Sequence, residues 1–197
     1  MSQESDKNSG ADGRSRILHS ASILFAERGF RGVSISDVAA AAGLVKSSIY
    51  HHFENKEALY LAVLGEMARQ CREQMQAGAQ GDTWHERLRG SVHVLGELIA
   101  PRSHVLSLVL GSMTQTPANV DSQMVDAIAP LRREFAAVLT REIENGIAAG
   151  ELRDLDPQLA AICLVGLVSA AQQSLAGSSE QARVDFAFDL FLRGAAK

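Results

Sequence analysis

Lys46, Ser47, Ser48, Tyr50, His51 and His52 fall within seven residues and offer hydrogen-bond donors and rings without an acid among them. Phosphates repel carboxylates, and base edges in a DNA major groove are read by short polar or basic side chains, so the chemistry open to this run is contact with a nucleic acid. Ile49 and Phe53, four apart in the same run, give that helix an inward face. Lys56 follows where the next helix begins and a backbone phosphate could lie.

Such a surface needs elements that hold it out. Ser34-Ile35-Ser36-Asp37 reads as a capping box, in which the Ser34 hydroxyl and the Asp37 carboxylate satisfy orphan amides at a helix start. Val38, Ala39 and Ala42 supply a thin apolar face, and Gly43 ends this helix where the backbone must turn sharply. Ahead of it, Ile17, Ala21, Leu24 and Phe25 line one face of a helix that Gly29 closes, predicted to pack on Val38, Ile49 and Phe53.

Taken in order, these residues resemble the helix-turn-helix of the TetR-type bacterial transcription regulators. The matching positions are Ser34 to Ser36, Val38-Ala39, Ala42-Gly43-Leu44, Tyr50-His51-His52-Phe53 and Lys56-Glu57-Ala58-Leu59. The run Leu-Phe-Ala-Glu-Arg-Gly-Phe at 24–30 extends the resemblance to about 14–60. It implies an all-α protein with an N-terminal three-helix DNA-binding head over 14–60 and a C-terminal helical domain over 61–197 for effector binding and dimerisation. On that reading Lys46, Ser47 and Ser48 face base edges, Tyr50 bridges base and backbone, and Ser34, Ser36, His51, His52 and Lys56 reach phosphates of a palindromic double-stranded operator. Two positions depart from the family pattern: Val45 stands where a Ser often caps the recognition helix, and Ser47 replaces a frequent Gly. The cap and the closeness of the backbone to DNA are therefore open.

The chain has 197 residues, 46% of them hydrophobic and only 5% aromatic, with 4 prolines, a composition that favours helices. The net charge of −4 lacks the strongly basic footprint usual for a nucleic-acid partner. Residues 1–60 balance to zero, however, and without the polar, glycine-containing stretch 1–13, expected as a flexible lead, the head turns basic. Arg14 and Arg16 then stand at the start of the first helix, either as an arm toward phosphates or as ordinary surface residues. Cys71 and Cys163 are far apart and outside any CxxC, which reads as a reducing compartment. With no signal-peptide pattern and no apolar run of bilayer length, the expected location is cytoplasmic.

Behind the head, a helix over about 55–78 carries Leu59, Val63, Met67 and Cys71 or Met75 on one side and belongs to both halves. Further helices are expected from Trp84 to Ile99, over about 103–113, over about 121–149 with a kink or a new start at Pro130, over 158–176 after Asp156-Pro157, and over about 179–193. Met67, Cys71, Trp84, Leu88, Val92, Leu110, Met113 and Phe135, with Arg72 and His93 to orient a guest, form a candidate pocket for a small-molecule effector. Their alternative is a closed core, and for His93 a surface position. The helix over 158–176 is apolar or small almost all round, and self-association is the simplest cover. The expected homodimer interface comprises Leu131, Phe135, Leu139, Leu159, Ile162, Cys163, Gly166, Ala170 and Gln173; the resemblance implies the same pairing of the last two long helices.

His85, His93 and Glu97 lack the spacing of a metal site, so none is expected. No catalytic motif or phosphate loop is present and no cofactor is implied. The expected function is a repressor released from its operator by a small hydrophobic effector, repression being a family-level expectation. The alternative is a helical binding module, or an enzyme, that retains the head only as structure.

Overall fold

The computed structural model describes residues 3–99, 122–174 and 178–197, and among them every named element is an α-helix. The helices are α1 (Gln3–Arg28), α2 (Ile35–Ala41), α3 (Lys46–His52), α4 (Lys56–Gly78), α5 (Trp84–Ile99), α6 (Ser122–Ala148), α7 (Pro157–Ser174) and α8 (Glu180–Ala195). The helix expected over about 103–113, with Leu110 and Met113, lies outside the described residues.

Local chemistry sets most of the boundaries. Asn55 caps α4 by accepting from the Ala58 amide at 2.7 Å. Thr83 and Glu86 form a reciprocal cap at the start of α5, the Glu86 amide donating to Thr83 Oγ1 at 3.2 Å and the Thr83 amide to Glu86 Oε2 at 3.0 Å. Asp156 Oδ1 accepts from the amides of Gln158 and Leu159, with Pro157 in the first turn of α7. One expectation is corrected and one is narrowed. Helix α1 begins at Gln3 and so takes in most of the stretch 1–13, because extending a helix already fixed by packing adds one bond per residue without a new nucleus. Of the kink or new start expected at Pro130, the new start is excluded, because helix α6 is continuous through that residue.

One apolar core runs through the molecule. In the head, Ile17, Ala21, Phe25, Val38, Ile49 and Phe53 are all buried, as their spacing predicts. Helix α4 shares the head core through Leu59 and carries Val63, Met67, Cys71 and Met75 into the rear, where it packs against α5 and α6. Helix α7 lies between α6 and α8. An ion pair on the buried Glu142 joins α5 to α6: the half-buried Arg87 meets Glu142 Oε2 through Nε at 2.9 Å, and Asn145 donates to the same oxygen at 3.0 Å. The chain end is pinned to the turn after α6, with the Arg153 amide donating to Ala195 O and the Lys197 amide to Glu151 O.

Candidate nucleic-acid interface

The recognition surface is built from two short helices and the turn between them. Ser34 has extended backbone, its hydroxyl oxygen accepts from the Asp37 amide at 3.2 Å, and Asp37 Oδ2 accepts from the Ser34 amide at 2.8 Å. The Ser34 hydroxyl also donates to Asp37 Oδ2 at 2.7 Å. These bonds hold the Asp37 carboxyl below its ordinary range. At the far end, Gly43 sits at φ +64, its amide donates to Ala40 O, and the Leu44 amide reaches back to Ala39 O. That pair of bonds is a Schellman stop, which requires the left-handed residue that glycine supplies without strain.

Helix α3 is preceded by Val45, whose backbone has the extended conformation of a cap residue but whose side chain makes no capping bond and stands 66% exposed. Ile49 and Phe53 are buried and anchor the inner face. Lys46, Ser47, Tyr50 and His51 are exposed, and Ser48 and His52 are half-buried. The Lys46 ammonium lies 5.8 Å from the Tyr50 ring centre, and the rings of His51 and His52 meet edge to face at 5.3 Å. The surface thus presents donors on one face, with Asp37 and Glu54 the nearest acids in sequence on either side. Ser36 is exposed at the start of α2.

Four residues expected or considered as phosphate contacts also make contacts within the chain. Ser34 spends its hydroxyl hydrogen on Asp37, beside a carboxylate that repels phosphate. Lys56 donates to Phe30 O at 2.9 Å and Val33 O at 3.0 Å, with its ammonium over the Phe30 ring, so two of its three hydrogens hold the loop ahead of α2. Arg16 is exposed and lies along the head, where it donates to Ala42 O and Gly43 O. Arg14 lies over the Phe53 ring at 5.4 Å. None of these long-range uses has a sequence signal, because each partner is a backbone carbonyl or a ring brought near by packing.

Of the expected effector residues, Met67, Cys71, Trp84, Leu88, Val92 and Phe135 are buried in the continuous core. Burial pushes the Cys71 thiol up to about 11. Arg72 sits at the edge, its Nε 3.4 Å from Glu134. His93 is turned elsewhere: it faces α8, 3.2 Å from Asp185 and beside Gln181. Met67 also floors a groove of about 310 Å³ between α1 and α4, bordered by Arg14, His19, Glu66 and Gln70.

The expected interface residues divide. On α7, Leu159 and Ile162 are exposed at 59% and 41%, and Cys163, Ala170 and Gln173 are exposed with them. Gly166 is half-buried, and a Cβ built there would meet nothing within 4 Å. Phe135 and Leu139 are 0% exposed inside their own chain and cannot reach a partner, which corrects that expectation; Leu131 is half-buried against the same core. Sequence reasoning missed Phe186 and Leu190 of α8, both exposed. Their spacing of four, on the face opposite Val184 and Phe188, was the available signal.

Two family models match the chain: "Bacterial regulatory proteins, tetR family" over residues 17–63, and "Tetracyclin repressor-like, C-terminal domain" over residues 81–173. The HTH-type transcriptional repressor KstR2 of Rhodococcus jostii (strain RHA1) is 30% identical over 161 residues, 79% of this chain and 76% of that protein. Among solved structures, the transcriptional regulator FadR of Bacillus subtilis in complex with stearoyl-CoA superposes with a TM-score of 0.75 at 21% identity, over 91% of this chain and 98% of the other. AibR in complex with isovaleryl coenzyme A and operator DNA gives a TM-score of 0.71 at 22% identity, over 90% and 97%. At these identities the structural likenesses establish the fold.

Proposed function

This chain belongs to the TetR family of bacterial regulatory proteins, and from that premise we propose that it is a cytoplasmic homodimeric repressor, released from a near-palindromic operator by an amphipathic small molecule. The observation that carries the reading is the acid-free outer face of α3, held out by buried Ile49 and Phe53. A helix so presented fits a major groove, and two copies related by a two-fold axis read two half-sites. Lys46, Ser47, Ser48 and Tyr50 are assigned to bases; Ser36, His51 and His52, with the remaining hydrogen of Lys56, are assigned to phosphates.

The exposed apolar face of α7, joined by Phe186 and Leu190 of α8, supports dimerisation: side chains of this size left in water on two adjacent helices favour a second copy as cover. The effector reading rests on the α4–α5–α6 core and on the coenzyme A thioesters held by FadR and AibR. A ligand that enters between these helices moves α4, which carries both Leu59 of the head core and Met67 of the rear. Such a ligand weakens DNA binding by the factor by which DNA weakens its own binding.

The test is a gel shift with the DNA flanking the protein's own gene, over a salt series, with and without long-chain acyl thioesters. A specific, salt-sensitive shift is expected. No shift, or one indifferent to salt, favours a helical binding module that keeps the head only as structure.

A further inference from the structure

The start of α3 lacks the bond that should fix it. Val45 has the extended backbone of a cap residue and supplies no acceptor, so the first amides of a seven-residue helix gain nothing from its side chain. A helix of that length is not stable alone, and its direction relative to α2 depends on the turn at Gly43 and Leu44.

Across that turn lies Arg16. Its neighbour Ile17 is fully buried, which fixes the arginine's backbone to the head core. The guanidinium reaches 26 and 27 residues along the chain, donating to the cap carbonyl of α2 at Ala42 O, 2.5 Å away, and to Gly43 O at 3.5 Å. Those carbonyls close the helix that precedes the turn, where orphan acceptors and the negative end of the helix favour a cation. A Cβ at Gly43 would stand 3.1 Å from the same guanidinium nitrogen, so the arginine lies directly against the turn.

Resting on the DNA-binding reading above, we infer that Arg16 is a positioning residue for operator recognition: it braces the turn from α1 and sets the entry angle of α3 in place of the missing cap. It acts on base reading through α3 and touches no phosphate itself. A brace of this kind matters for the specific complex, which needs α3 at one angle. It matters little for non-specific binding, which is held by phosphate charge alone.

The experiment compares the full-length protein with its Arg16→Met, Val45→Ser and doubly substituted variants. Each is titrated against the DNA flanking its own gene and against an unrelated duplex, at several salt concentrations, with thermal unfolding run in parallel. Arg16→Met should weaken specific binding about tenfold, the loss of a charge-assisted bond, while leaving unrelated DNA and the salt slope unchanged. Adding Val45→Ser, on a backbone already shaped as a cap, should recover part of that loss. An equal loss on both duplexes with the salt slope lowered by about one unit would make Arg16 a phosphate ligand and overturn the inference. Unchanged specific binding by Arg16→Met, or a lowered melting temperature with unaltered affinity of the folded protein, overturns it as well. Failure of the unsubstituted protein to discriminate the two duplexes would instead sink the underlying DNA-binding reading.

Discussion

Replacing Ile162 with aspartate tests the face on which dimerisation is proposed. Ile162 is 41% exposed in the single chain, so its partial burial against a copy is worth about 1 kcal/mol, taken from roughly 1.5–3 kcal/mol for a fully exposed side chain of this kind. An aspartate there forfeits that gain and sets a carboxylate beside Leu159 and Cys163, at a cost of about 2 kcal/mol even after partial neutralisation. Two-fold symmetry counts each change twice, giving about 6 kcal/mol, or roughly four orders of magnitude in the dimer dissociation constant. The monomer should survive, because position 162 is open to solvent in the single chain and aspartate costs a helix interior only about 0.7 kcal/mol. Light scattering on a size-exclusion column should find the unsubstituted chain dimeric and Ile162→Asp monomeric at micromolar concentration, with far-ultraviolet circular dichroism unchanged. Operator affinity should fall to that of one half-site. A dimer whose dissociation constant moves less than tenfold refutes the use of this face.

Four further outcomes follow from the geometry. Lys46→Ala should change the order of preference among operator variants and lower the salt slope by about one unit, and equal losses on all variants would remove Lys46 from base reading. Lys56→Met should instead destabilise the head by about 2 kcal/mol in urea unfolding, because it releases the carbonyls of Phe30 and Val33, and an unchanged midpoint would contradict those bonds. The caps also set a pH dependence. Asp37 is held below its ordinary value by the Ser34 hydroxyl and amide, and Glu86 by the Thr83 amide and hydroxyl and the Asp82 amide. A depressed folded value gives stability that is present above about pH 4 and lost as pH falls through the lowered value. The Asp37→Ala, Glu86→Ala double variant should therefore show a flatter stability curve below about pH 4, and an identical acid limb would refute the assignment. Gly43→Ala should cost about 1–2 kcal/mol, since residue 43 sits at φ +64, and a retained melting temperature would show that the turn relaxes.

The elements legible in the residues alone are those fixed by bonds three or four positions apart. Ser34 with Asp37, Asn55 with the Ala58 amide, and Asp156 with the amides after Pro157 close rings within one turn, so their residue types announce the helix starts wherever the chain lies. Apolar spacing likewise announced that Ile17, Ile49, Phe53 and Met67 would be covered. What covers a face is a different matter, because period says only that water is excluded. Phe135 and Leu139 lie on the buried side of α6 against their own chain, while Leu159, Ile162, Phe186 and Leu190 are left outside, and nothing in their spacing separates the two cases. The same holds for the cations. Arg16 and Lys56 read as surface charges suited to phosphate, and only the packing of α1 against the turn after α2, and of α4 against the loop before it, brings backbone carbonyls within their reach. Local bonds are written in the sequence because both partners travel together; long-range ones are decided by the tertiary structure because it alone chooses which strangers meet.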